Sequence, residues 1–119
     1  MLKIAGIIFA KTQNLGKIVD FYINKLGALP WLSQPDIEII RHDNLLIGFQ
    51  QSELKETQGL FTFFYKEKAD VDQLYEKLKS IATTIPKINV KYQIYNFFAK
   101  DPEGRSIEFQ CFLHEIPPI

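Results

Sequence analysis

The sequence predicts an α+β fold made of two tandem βαβββ modules, and three observations carry that prediction. A buried strand, an amphipathic helix and three further strands occur once between residues 2 and 51 and again between residues 60 and 113. Residues repeat along with the pattern: Leu46-Ile47-Gly48-Phe49-Gln50 matches Ser106-Ile107-Glu108-Phe109-Gln110, each after a polar turn. Phe21-Tyr22 in the first helix likewise answers Leu74-Tyr75 in the second. A duplicated unit of roughly 50–60 residues is too small to bury much surface alone, so its copies are expected to pair, within the chain or across a dimer.

In chain order, Leu2 to Ala10 is rich in Ile and Phe and reads as a buried strand. Its apolar core is short and is followed by Lys11, which argues against a signal peptide. Asn14 is placed to cap a helix bearing Leu15, Ile18, Val19, Tyr22 and Leu26 at helical spacing, with Gly27 closing it. A short strand over Leu29–Ser33 carries Trp31. Ile37–Arg41 and Leu45–Gln51 form a hairpin about His42-Asp43-Asn44, and polar Ser52–Gly59 connects the halves. The aromatic run Leu60–Tyr65 opens the second module. Asp70 and Gln73 have capping-box spacing ahead of a helix carrying Val71, Leu74, Tyr75, Leu78 and Ile81, and Pro86 marks its end. Ile88–Tyr95, Asn96–Lys100 and Arg105–Leu113 are the three closing strands, the last two joined through Asp101-Pro102-Glu103-Gly104. Residues 1–119 are thus expected to form one domain, with modules at about 1–53 and 58–114 and a tail over 115–119.

Composition limits the function classes. Apolar residues make up 46% of the 119, and fourteen basic residues balance fourteen acidic ones, so no charge footprint for nucleic acid or an anionic membrane exists. No apolar run approaches the ~20 residues that a membrane span needs. The single cysteine, Cys111, excludes an intrachain disulfide and fits a reducing cytoplasm, the expected location. No glycine-rich phosphate loop is present, and no Ser or Cys nucleophile has a base at readable spacing.

The most informative single residue is Glu108. In the last strand Ile107, Phe109 and Cys111 alternate with Ser106, Glu108 and Gln110, which puts the first set on a core and the second on a polar or hollow face. A carboxylate there needs water, a partner or a metal.

The duplicated unit, together with Phe21-Tyr22…Leu26-Gly27 and Asp101-Pro102-Glu103-Gly104…Ile107-Glu108, resembles the vicinal oxygen chelate superfamily, which includes glyoxalases, extradiol dioxygenases, fosfomycin-resistance enzymes and bleomycin-resistance proteins. The resemblance spans residues 2 to 113 and implies a curved mixed sheet with helices on its convex face, a concave cavity and a homodimer. Its enzymes hold a divalent metal between a first-strand His and a last-strand carboxylate of each module. Glu108 matches the last-strand position of the second module, and its counterpart in the first is Gly48. The first-strand positions fall near Ile7 and at Phe61 or Phe63. None of these but Glu108 can bind a metal, whereas a catalytic site takes about three protein ligands. The two histidines, His42 and His114, lie in a turn and beyond the last strand, and reach Glu108 only from a second chain.

The expectation is therefore a metal-free, cofactor-free binding protein that holds a small amphipathic or aromatic molecule in an aromatic-lined cleft. Glu108, Gln110, Phe61, Phe63 and Trp31 are expected to line it, with Ile7, Phe9 and Gly48 across the cavity. The alternatives are a metal-dependent lyase, isomerase or dioxygenase with unplaced ligands, and a protein-interaction module without a small-molecule site.

Overall fold

The computed structural model describes residues 5–119, so the Leu2–Ile4 end of the expected first strand lies outside the described residues. The chain divides into two compact units, residues 1–57 and 58–119. Each carries its own four-stranded mixed sheet with a helix between its first and second strands, which makes the two tandem βαβββ modules expected.

In the first unit β1 (Ile7–Thr12) runs parallel to β4 (Leu45–Gln51), and β3 (Ile37–His42) joins β4 to β2 (Leu29–Gln34) with antiparallel pairing. Among the described residues the first strand starts at Ile7, and it runs on to Thr12, past the end of its apolar run at Ala10. Asn14 does cap α1 (Leu15–Asp20), its Oδ1 accepting from the Lys17 N–H at 3.2 Å. The helix then widens into a π-helical turn over Phe21–Lys25, in which the Leu26 N–H reaches the Phe21 carbonyl. Gly27 closes it at φ +81°, a left-handed conformation that glycine adopts at no steric cost. Ile18 and Tyr22 point onto the sheet, and the Tyr22 ring lies 5.1 Å from that of Phe49. The connection after β4 is tied down along β1: the Ser52 and Glu56 N–H groups donate to the Thr12 and Lys11 carbonyls, and the Lys11 N–H donates to the Glu56 carboxylate at 2.7 Å. Part of an otherwise open sheet edge is thereby covered.

In the second unit β5 (Leu60–Tyr65) runs parallel to β8 (Ser106–Phe112), which pairs antiparallel with β7 (Ile94–Lys100), and β7 with β6 (Lys87–Asn89). Two expectations need correction. The run from Ile88 to Tyr95 is not one strand. It breaks over residues 90–93, where Gln93 takes φ +53°, and Tyr95 and Asn96 are consecutive residues of β7. Also, α2 (Lys68–Leu78) begins earlier than Asp70: Glu67 is its first cap residue, and Asp70 reaches back to accept from the Glu67 N–H at 3.0 Å. Asp70 thus takes the Glu/Gln position of the capping box, with no role for Gln73.

The core of this unit is an aromatic stack under α2. Phe97 lies 5.1 Å from Phe109 and Phe109 lies 5.7 Å from Phe63, with rings nearly parallel, while Tyr75 of α2 meets Phe97 edge-on at 5.4 Å. Tyr95, on the same face, donates its hydroxyl hydrogen to Asp72 of α2. That bond, reinforced by burial and the Asp72 charge, pushes the Tyr95 hydroxyl up to about 12. Burial, reinforced by the Asp70 charge, pushes Tyr65 up to about 12 as well. Both groups ionise near pH 10 in an unfolded chain. Their raised folded values therefore add stability that is fully present below pH ~10 and is lost as pH climbs towards 12. Ultraviolet titration of phenolate should show Tyr65 and Tyr95 ionising late, in step with a falling urea midpoint, and Tyr95→Phe should remove the Tyr95 contribution.

Candidate functional site

The face of the second sheet away from α2 follows from the pairing register. Phe109 stacks on Phe97 beneath α2, so its strand neighbours Glu108 and Gln110 project the other way. Across the ladder Glu108 faces Thr62 on β5 and Phe98 on β7, and Gln110 faces Phe64 and Asn96. These side chains meet in a cluster. Thr62 Oγ1 donates to Glu108 Oε1 at 2.8 Å, and Asn96 Nδ2 donates to Glu108 Oε2 at 2.6 Å. The carboxylate is thus held open by a neutral donor on each oxygen, a short and favourable arrangement for a charged acceptor. Asn96, Glu108 and Gln110 are each about nine-tenths buried.

Above the cluster is a hollow of about 480 Å³. Glu108, Gln110 and Asn96 form its polar floor, Asn89 adds an amide, and Phe98, Phe112, Ile94 and Tyr92 supply apolar surface. A few convergent polar groups within an aromatic rim make up the usual composition of a small-molecule site. The turn over residues 90–93 that broke the expected strand matters here. It places Tyr92 at the rim, with its N–H bonded to Asn89 Oδ1 at 3.1 Å.

Of the expected lining residues, Glu108 and Gln110 share this hollow. Phe61 and Phe63 do not, which is a correction. They pair with Ile107 and Phe109, and Phe63 belongs to the stack under α2. The residues of that strand beside Glu108 and Gln110 are Thr62 and Phe64. Trp31 is half exposed on β2, beside an irregularity in the pairing between Pro30 and Leu32. Ile7, Phe9 and Gly48 share the face of the first sheet turned away from its helix, since their neighbour Phe49 packs on Tyr22. There the Phe9 ring lies over Gly48 so closely that a Cβ added at Gly48 would meet it at 2.4 Å. The position that holds a carboxylate in the second unit thus holds a phenyl ring in the first. Tyr95 points to α2, away from this hollow.

Thr62, Asn96 and Phe98 are site residues that inspection of the sequence missed, although a signal existed. Thr62 is the one polar residue in Leu-Phe-Thr-Phe-Phe-Tyr, and Asn96 shares a face with Ile94 and Phe98 once β7 is drawn through Tyr95.

The divalent metal that the resemblance implies does not fit the second unit's donor set. Glu108 is the only carboxylate in its cluster, its partners are Thr62 and Asn96, and no group of three or more His, Cys, Asp or Glu side chains that could hold a metal occurs among the described residues. The face around Gly48 offers phenyl and aliphatic groups instead of donors. Cys111 is buried on the helix side and burial raises its thiol above the ordinary value, which keeps it protonated and a poor nucleophile. Burial lowers the His42 imidazole, against opposing contributions from a backbone hydrogen bond and the Asp43 charge. His114 lies against Phe112 beside a second hollow, of about 340 Å³.

Comparison with solved structures places the fold. An integron cassette protein from the mobile metagenome of the Halifax Harbour sewage outfall superposes with a TM-score of 0.80 at 21% identity, over 93% of this chain and 100% of its own. A glyoxalase/bleomycin resistance protein/dioxygenase from Alicyclobacillus acidocaldarius gives 0.75 at 19% identity, over 92% of both chains. The genomically encoded fosfomycin resistance protein FosX of Listeria monocytogenes gives 0.76 at 17% identity, over 93% of this chain and 94% of its own. The chain therefore has the vicinal oxygen chelate fold, two tandem βαβββ modules. No protein-family model matches the sequence, and none of the curated proteins does. Among the described residues no helix is long and apolar enough to cross a membrane.

Proposed function

We propose that this protein binds a small amphipathic or aromatic molecule, without a metal, in the hollow above Glu108. One observation carries the reading: a buried carboxylate, fixed by Thr62 and Asn96, forms the floor of a 480 Å³ hollow whose rim is aromatic. Burying a carboxylate is costly, and a strand whose only task was core packing would do better with an apolar residue at 108. A ligand group that hydrogen-bonds to it would be oriented, while Phe98, Phe112 and Tyr92 would take up its apolar part. The likeness to glyoxalase and resistance proteins supports a small-molecule role by analogy of fold only.

A library of small aromatic and amphipathic compounds, screened by thermal shift, tests this reading. Hits are expected whose affinity falls about ten- to hundredfold in Glu108→Gln, the effect of losing a charged hydrogen-bond acceptor, roughly 1.5–3 kcal/mol. Phe98→Ala should weaken the same hits through lost ring contact. Hits indifferent to both substitutions would contradict the proposal.

A further inference from the structure

We propose that the hollow selects organic cations: small molecules that join an aromatic or flat apolar body to a protonated amine, amidine or guanidine, with the charged end on Glu108. This deepens the reading of the hollow given above and rests on it.

The charge inventory carries the argument. Among the residues that line the hollow Glu108 is the only acid, and there is no Lys, Arg or His. The ion pairs found among the described residues join Lys79 to Glu76 and Arg105 to Asp101 and Glu103, and none involves Glu108. Its two hydrogen bonds come from a hydroxyl and an amide, both neutral. A carboxylate offers about four acceptor directions, so a donor from the solvent side can still be received by either oxygen. The closest lysine by register is Lys100, paired with Ser106 two residues along β8 from Glu108, and its Nζ donates to the Ser106 hydroxyl at 2.8 Å. Lys87 is paired with Asn96 on the edge strand, and Lys91 is held over the Tyr92 ring. All three are exposed, and none lines the hollow.

The rest of the lining suits the same ligand. With Nδ2 of Asn96 committed to Glu108, its carbonyl oxygen is left as an acceptor, and Gln110 adds a second amide. Phe98, Phe112 and Tyr92 offer ring faces, which attract a cation and stack on a flat body. An anionic ligand would meet like charge in a partly desolvated site with nothing to offset it.

Three probes of nearly one shape and size separate charge from fit: benzamidine (a cation at neutral pH), benzamide (neutral) and benzoate (an anion). Titration by calorimetry and by amide NMR should show benzamidine binding at least tenfold more tightly than benzamide, with benzoate weakest. Glu108→Gln should abolish the preference for benzamidine over benzamide, because it weakens benzamidine at least tenfold more than it weakens benzamide. Gln110→Lys is a second charge test should Glu108→Gln fail to fold, and it should invert the order so that benzoate binds best. Benzamide and benzamidine binding equally in this hollow would overturn the cation preference and leave the binding site standing. Benzoate binding best to the wild-type protein would overturn it too. Failure of all three, together with failure of the wider aromatic library, would remove the binding site itself.

Discussion

Replacing Arg105 by alanine is expected to cost about 3–5 kcal/mol of folding stability, read as a lower urea midpoint at unchanged slope, because it strands a buried charge. The Asp101 side chain is fully buried and that of Arg105 is 4% exposed. Arg105 Nη1 bridges Asp101 Oδ2 at 3.2 Å and Glu103 Oε1 at 2.9 Å. Asp101 Oδ1 meanwhile accepts from the N–H groups of Glu103 and Arg105, folding the turn on which Gly104 takes φ +90°. The arrangement explains why an ordinary-looking Asp-Pro-Glu-Gly turn places β7 and β8 in fixed register, from Lys100 against Ser106 up to Asn96 against Gln110. Its energetic weight comes from mutual dependence. Asp101→Asn and Glu103→Gln combined with Arg105→Met keep an acceptor for both N–H groups and remove all three charges, so the triple variant should recover most of the loss. A triple variant as unstable as Arg105→Ala would show that the guanidinium acts through packing and not through the stranded carboxylates.

The second large effect is expected at Phe97. Its ring is fully buried between Phe109 and Tyr75. Truncation to alanine removes the middle of the stack and leaves a cavity that α2 cannot fill without leaving the sheet, at a cost of about 3–5 kcal/mol. Phe97→Leu keeps most of the volume, and its cost should stay below about 1.5 kcal/mol. The consequence reaches the other face of the sheet. Asn96 and Phe98 flank Phe97 on β7, and both project into the hollow. Loosening β7 should therefore weaken ligand binding in Phe97→Ala even where the protein remains folded.

The fold was largely legible in the residues, because duplication and periodicity are properties of the chain alone. Gly27 at the end of a helix, Asn14 at the start of one and the alternation of residues 106–111 each state a local geometry that the structure adopts. The site was legible only in part, for a specific reason. Glu108 and Gln110 could be placed because their own strand alternates cleanly. Their neighbours depended on pairing register, which no single strand encodes. Leu60–Tyr65 is apolar on both faces apart from Thr62, so counting along it could not show which face meets Glu108, and Phe61 and Phe63 were assigned to the wrong one. The split of residues 88–95 hid Asn96 in the same way. A left-handed residue at Gln93 has no strong sequence signal, and without that turn Asn96 seems to begin a strand instead of lying within one. The phenyl ring over Gly48 shows the converse. The missing ligand could be read from the sequence, but the ring that takes its place could not.

The most direct test of the binding proposal follows the side-chain amide signals of Asn96 and Gln110 by NMR while the tightest hit of the aromatic library is added. Both amides stand on the floor of the hollow, and Asn96 is bonded to Glu108 itself. Saturable shifts of both, lost in Glu108→Gln, are the predicted result. Saturation with both signals unmoved, and shifts confined to the separate hollow between Tyr65 of β5 and Gln73 and Lys77 of α2, would contradict it.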